Sequence, residues 1–446
     1  MKMCFGLPPL VPLIPQPSFP CLTPLGTLEV TGGPRRRPSL PGLSGVLLLS
    51  LAMVGCGGES LSDVQTLTRD SAGVTIVESS DLPDRGEGGW VLDQTPSLTI
   101  GTFQGDTLYE LYRISGGTRL SDGRIVVSDN GSFQLRMFGP GGAFLGSWGR
   151  EGEGPGEFQS IRLMGVLGGD TLVVLDGRLR RISLFEPGTG FISQSTIDEE
   201  VGLTFVPNGM FEGGSVVFGG GLTFGPGSDM PTDGLQRPDT PFRSAGLDGS
   251  LAAEFGAIPG SEYFMRTRGG GGEFMISASL IPFGKRPAAF ARGDRLYLGS
   301  ADEYEIQAFD PDGRLTRILR VSRPLTPVTS ADVEGLIEEA VTELEDPSRA
   351  PEVRSSYGEM PVPDFMPAYR GFHVDSEGCL WVEDYPLPGS GLSSWTVFDP
   401  EGFPLTKLSL PSDNRLLDIG EDFVMTVFQD PLGVEYLRIY PLTRGR

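Results

Sequence analysis

One pattern returns six times along the chain. "LSDGRIVVSDNGSFQLRMFGPGGAFLGSWG" (Leu120–Gly149) reads turn, strand, loop, strand, turn, strand. Asp122-Gly123 and the "GPGG" stretch supply the turns, and alternating apolar runs supply the strands. Similar units begin at Gly168, Gly213, Arg292, Ser376 and Gly420. The first five carry a second turn as well: "GPGG", "EPGTG", "LDG", "DPDG" and "DPEG". Proline presets one turn dihedral and glycine supplies a positive φ, so each is a reversal with a mechanism. The 65 glycines and 38 prolines are spread between short apolar runs, which marks many turns rather than disorder. One such unit cannot bury its own apolar faces; stacked neighbours can.

Units of roughly 40–50 residues, each an antiparallel meander, predict an all-β, six-bladed β-propeller. The last unit lacks its final strand. "AGVTIVESS" (Ala72–Ser80) is apolar, β-branched and outside any repeat, so it is the expected N-terminal strand that closes the last blade. "SLTIG" (Ser97–Gly101) is expected to serve the first blade. Two stretches break the pattern. Gly221–Thr240 is a polar loop inside the third unit. Thr329–Pro347 has helical spacing, with Val333, Ile337 and Val341 every four residues and Ser330 or Asp332 to cap it. It predicts a short helical insertion, about 329–363, between blades four and five. Long insertions gather on one face, often the binding face.

"FLGSWGREGEGPGEFQSIRLMGV" carries a resemblance. It is similar to the connector of NHL-type six-bladed propellers, matching at Gly152, Gly154, Pro155, Gly156 and Phe158; "DGRIVVSD" and "VFDPEG" resemble NHL strands. The resemblance covers about Ser71 to Leu442, and the other connectors depart from it. It implies a ring of six blades, with Phe158 wedged between two of them, like the six-bladed propeller lipoproteins of environmental bacteria. Propellers that resemble lactonases hold one metal on Glu, Asp and Asn, which is the enzymatic alternative.

The N-terminal region reads as an address. Arg35–Arg37 precede a short apolar run, Val46–Val54, and "MVGC" resembles a lipobox with Met53 in the leucine position. Residues 1–55 are therefore expected to be a lipoprotein signal peptide, with a true start near residue 30. Cys56 is expected to be lipidated, residues 56–68 to form a tether, and residues 69–446 the propeller. Lys2 and Arg35–Arg37 against Glu29 give the leader +3, so its removal would take the chain from −23 to −26. The expected place is the cell envelope, on a bacterial membrane, facing the periplasm or the exterior.

Strong negative charge excludes nucleic acid, whose phosphates need clustered Lys and Arg. A single histidine, His373, and scattered cysteines exclude the usual zinc sites. Asp129, Asp176 and Asp384 each end a strand that the pattern reads as innermost, so they fall at one height around the ring. They either line the channel, for a cation or a polarised substrate, or cap the loops that follow. Arg136, Arg180 and Arg181 stand one loop further on and suit ion pairs or an anionic ligand. Glu153, with Glu151 and Glu157, could reach the channel from the connector, and His373 opens a blade strand. "EMPVPDFMPAYRGF" (Glu359–Phe372) is expected at the channel mouth beside the insertion. No cofactor is expected; calcium is the one metal these carboxylates leave open. The chain reads as a monomeric binding module for a small molecule, sugar, peptide or protein, touching the membrane only through its lipid. The alternative is a calcium-type hydrolase or lactonase-like enzyme.

Overall fold

Four-stranded antiparallel meanders follow one another along the chain. The computed structural model describes residues 64–84, 89–202, 206–221, 232–270, 273–344 and 346–445. The expected signal, Cys56 and most of the tether lie outside these residues. The first blade consists of Ile114–Arg119, Ile125–Asp129, Gln134–Phe138 and Phe144–Trp148. The second consists of Ile161–Val166, Leu172–Asp176, Arg181–Glu186 and Gly190–Thr196. Pro207–Met210, Val216–Phe218, Asp239–Ala245 and Leu251–Pro259 make the third. Ala288–Arg292, Arg295–Gly299, Glu305–Phe309 and Leu315–Val321 make the fourth. The fifth is Gly371–Val374, Leu380–Glu383, Leu392–Phe398 and Pro404–Pro411. The last contributes Asn414–Ile419, Phe423–Gln429 and Glu435–Thr443.

The first strands of the first five blades lie side by side, the fifth blade meets the last through Trp381, Leu416 and Ile419, and the first strand of the last blade returns to that of the first. The sheets therefore stand around a common axis as a β-propeller. Apolar clusters fill the gaps between them. Leu120, Val126 and Leu135 of the first blade meet Ile161, Leu172 and Phe185 of the second. Similar slabs join the fourth blade to the fifth and the last blade back to the first. At Gly209 (φ 94°) the third and fourth innermost strands approach so closely that a Cβ would sit 2.1 Å from the Ala291 carbonyl. Only glycine fits there.

The innermost strands are not the ones that the sequence pattern points to. "IVVSD", "LVVLD" and "LWVE" are second strands, buried on both faces, and that is why they are β-branched or aromatic. The innermost strands precede the Asp-Gly turns. They read "ISGGTR" and "PNGM", small and polar, because they face the axis and each other.

Ring closure is also corrected. Leu98–Ile100 and Val91–Leu92, not Ala72–Ser80, pair with Glu435–Thr443 and complete the last blade. Ile100 is buried against Leu437 and Ile439, and Leu92 against Tyr440 and Leu442. Val74–Ser79 instead runs parallel to Leu315–Val321 at the rim of the fourth blade, where Val77 is buried and Glu78 pairs with Arg320. Thr66–Ser71 folds back on it as an exposed edge. The C-terminus ties in through Arg444, whose guanidinium meets buried Asp375 of the fifth blade at 2.8 Å.

Between the fourth and fifth blades lie α1 (Ser330–Thr342) and α2 (Ala350–Gly358). Thr329, rather than Ser330 or Asp332, caps α1, and Asp332 completes the capping box. A hairpin of Tyr263–Gly270 and Glu273–Leu280, paired with Gly234–Gln236, emerges between the third and fourth blades.

The connector packs as the resemblance implies. Phe158 is fully buried, 5.7 Å from the Phe185 ring between the first two blades, and Gly149 (φ 92°) leaves room for it. Phe158→Ala is expected to lower unfolding stability by about 3–5 kcal/mol in denaturant titrations. Deleting residues 64–102 is expected to abolish the cooperative transition, because the last blade loses both closing strands.

Candidate functional site

The alternating strand directions give the ring two faces. One carries the blade-to-blade connectors and the loops after each second strand. The other carries the tight turns. Asp129, Asp176, Asp384, Arg180 and Glu153 all fall on the connector face.

The first two aspartates are consumed by their loops. Asp176 is fully buried and accepts four backbone N–H groups, from Gln159, Ser160, Arg178 and Leu179, at 2.6–3.0 Å. Asp129 accepts from Gly131 and from the Ser132 hydroxyl, and pairs with Arg136 at 3.0 Å. These carboxylates hold loops and connectors and leave little free lone-pair capacity for a ligand. The arginines extend that task. Arg136 donates to the carbonyls of Thr107 and Leu108 ahead of the first blade, and Arg181 donates to those of Glu153 and Glu157 ahead of the second. Arg180, with φ of 50°, donates to the Asp198 carbonyl at 3.1 Å. Glu153 is exposed and accepts from Gln159, while the Gly154 N–H and, after it, Arg150 hold Glu157 below the usual carboxylate range. Asp384 pairs with Lys407 across its own blade. The three aspartates thus do not converge on the axis. Among the described residues, no three of His, Cys, Asp and Glu gather closely enough to hold a metal ion.

His373 sits on the fifth innermost strand, 4.6 Å from the Phe290 ring and 5.8 Å from Trp395. Burial, with help from Arg292, lowers its pKa to about 4. It is a packed, neutral ring at pH 7. Below it, on the turn face, opens a cavity of about 950 Å³. Both arginines of its lining are answered: Arg292 meets Asp418 at 2.7 Å, where Thr118 also donates, and Arg119 pairs with Asp422. Cys379 is buried, and burial pushes its thiol up to about 12.

A different group converges on the connector face where the insertions meet the fifth blade. Arg286 stands just ahead of the fourth innermost strand, with Tyr385, Tyr263, Tyr357 and Arg370 within electrostatic reach. Tyr263 comes from the hairpin, Tyr357 from α2, and Tyr385 from the loop after the fifth blade's second strand. Several contacts fix this assembly. Arg266 of the hairpin pairs with Glu359 beyond α2 at 2.8 Å, Glu339 of α1 accepts from the Gly389 N–H, and Phe283 lies 6.2 Å from the Tyr385 ring. Burial raises the pKa of all three phenols, so they are neutral donors. Burial also lowers that of Arg286. Arg370 pairs with Glu383 at 3.0 Å, and burial keeps that carboxyl above its ordinary value.

Of the stretch Glu359–Phe372, only part reaches this mouth. Met366, Tyr369 and Phe372 are core, and the Tyr369 hydroxyl bonds the Glu305 carbonyl. Arg370 lies at the mouth. Arg286, Tyr263 and Tyr385 have no motif in the sequence; their positions at or just outside strand ends on one face are the only signal they carry.

No protein-family model matches the chain, and no curated protein matches it. Solved structures are similar in part. A protein of Bacteroides fragilis NCTC 9343 described as exported is 12% identical, over 83% of this chain and 100% of that one, with a TM-score of 0.46. A DUF4221-family member from Bacteroides vulgatus is 10% identical over 81% and 100%, with a TM-score of 0.43. A gluconolactonase from Xanthomonas campestris is 13% identical over 79% and 100%, with a TM-score of 0.35.

Asp176→Ala strips the acceptor from four buried N–H groups and is expected to cost about 3 kcal/mol of stability, read by denaturant titration. His373 gives a pH signature. The unfolded chain binds its proton near pH 6.5, whereas the folded protein does so only near 4. Its contribution is fully present above pH 6.5 and is lost as pH falls toward 4. His373→Phe is expected to flatten the stability profile over that window, and NMR of the single imidazole should show a midpoint near 4.

Proposed function

We propose that the chain is a six-bladed, lipid-anchored, extracytoplasmic propeller that acts as a monomeric binding module. Its ligand is a small molecule, sugar or peptide held at the connector-face mouth. The observation that carries this reading is that Tyr263, Tyr357 and Tyr385 lie within electrostatic reach of Arg286, where the Arg266–Glu359 ion pair and the Phe283–Tyr385 ring contact tie the insertions to the fifth blade. Aromatic walls with a few convergent polar groups suit a small-ligand site. The hairpin and the two helices rise over that same mouth, and insertions on one face of a rigid ring are where binding residues collect. The lipobox-like "MVGC" supports a membrane tether, and no described helix is long and apolar enough to cross a membrane. A calcium-type hydrolase would need converging acidic donors. The described residues do not fit one, since Asp129 and Asp176 are filled by their own loops.

Two experiments test the reading. Thermal-shift screening of residues 57–446 against sugars, peptides and metabolites is expected to give ligands whose effect is lost in Tyr263→Ala/Tyr385→Ala. Ligands insensitive to that pair would move the site elsewhere. Cys56→Ala is expected to shift the protein from the membrane fraction to the soluble one; retention on membranes would contradict the lipid anchor.

A further inference from the structure

Arg286 is the group around this mouth that the protein does not answer. Among the described residues it makes no ion pair and donates no side-chain hydrogen bond to a protein acceptor, and its surroundings are phenols and a second arginine. Its neighbouring cations each reach a carboxylate: Arg370 meets Glu383 at 3.0 Å, Arg266 meets Glu359 at 2.8 Å, and Lys285 lies 3.7 Å from Asp302, which it shares with Arg237. The arginines of the turn-face cavity are likewise paired, Arg292 with Asp418 and Arg119 with Asp422. A half-buried guanidinium with no counter-charge is destabilising, and an apolar chain of similar length would serve packing better. Keeping it there makes sense where a counter-anion arrives from outside.

We infer that Arg286 is the anion-binding residue of this mouth and that the ligand carries a single carboxylate on a ring-shaped organic body. The inference rests on the mouth being the binding site. Three features set the ligand class. A guanidinium presents two parallel N–H donors that match the two oxygens of a carboxylate. Among these cations Arg286 alone has no carboxylate within ion-pair distance, which suits a single negative charge. A chain of net charge −23 repels polyanions at long range. Tyr263, Tyr357 and Tyr385 then supply neutral hydroxyl donors and apolar ring faces to the body of the ligand.

The test uses residues 57–446 with benzoate and glucuronate as probes, and benzamide and glucose as their neutral counterparts. Calorimetry on wild type is expected to detect at least one carboxylate binding about tenfold or more tightly than its neutral counterpart. Arg286→Met should remove that preference and Arg286→Lys should restore part of it, since lysine keeps the charge but not the fork. Without ligand, Arg286→Met is expected to melt at the same temperature as wild type or higher. A ligand-free melting point several degrees lower would make Arg286 a structural brace and overturn the inference. Equal binding of charged and neutral probes to wild type and Arg286→Met would also overturn it, yet leave the mouth as the site if Tyr263→Ala/Tyr385→Ala still abolishes binding. If no probe binds wild type, the inference fails for both ring types tested.

Discussion

The architecture depends on apolar sheet faces that only a neighbouring sheet can cover. A second strand such as "LVVLD" is buried on both sides, so one blade alone would expose two greasy faces. Each added blade covers one face and offers another, and the debt is discharged only when the ring closes. That is why the closing strands come from a segment more than three hundred residues away, and why Phe158, a single side chain in a connector, matters to two blades at once. Fully burying such a ring is worth about 2–3 kcal/mol of transfer free energy before cavity costs are counted.

Once closed, the ring fixes the connector-face ends of its strands in space. The polar residues at those ends divide into two kinds. Most of them hold the backbone: Asp176 gathers four N–H groups, Asp129 pairs with Arg136, and Arg181 holds two connector carbonyls. These are internal accounts that balance, and they keep the connector face rigid. Arg286 is the other kind. It stands on the same rigid platform, walled by elements that are insertions relative to the repeat, and its charge is left open. A preorganised, unmatched charge on a fixed frame is what a binding site requires.

Much of the frame was legible before any coordinates. The turns at "DPDG" and "DPEG", the strand runs and the Phe158 connector all announce their structure locally, through glycine, proline and β-branched side chains. α1 announced itself through Val333, Ile337 and Val341. What failed did so for a physical reason. Innermost strands such as "PNGM" face an axis rather than a core and so lack an apolar signature, whereas second strands such as "LVVLD" carry the one the pattern detects. Val74–Ser79 and Leu98–Ile100 are both short and apolar, and nothing local says which rim each will join. α2 carries little apolar periodicity, so the sequence shows it only as the tail of the insertion. Arg286 lies in "PFGKRPAAF", where it resembles any surface arginine; its isolation from carboxylates is a property of the folded ring alone.

A bromine-labelled carboxylate would locate the ligand directly. In crystals of residues 57–446 grown with 4-bromobenzoate, the anomalous signal of bromine is expected at the connector-face mouth, with the carboxylate on Arg286 and the ring among the three tyrosines. Bromine in the turn-face cavity beside Arg292 and Asp418, with the mouth empty, would contradict the account.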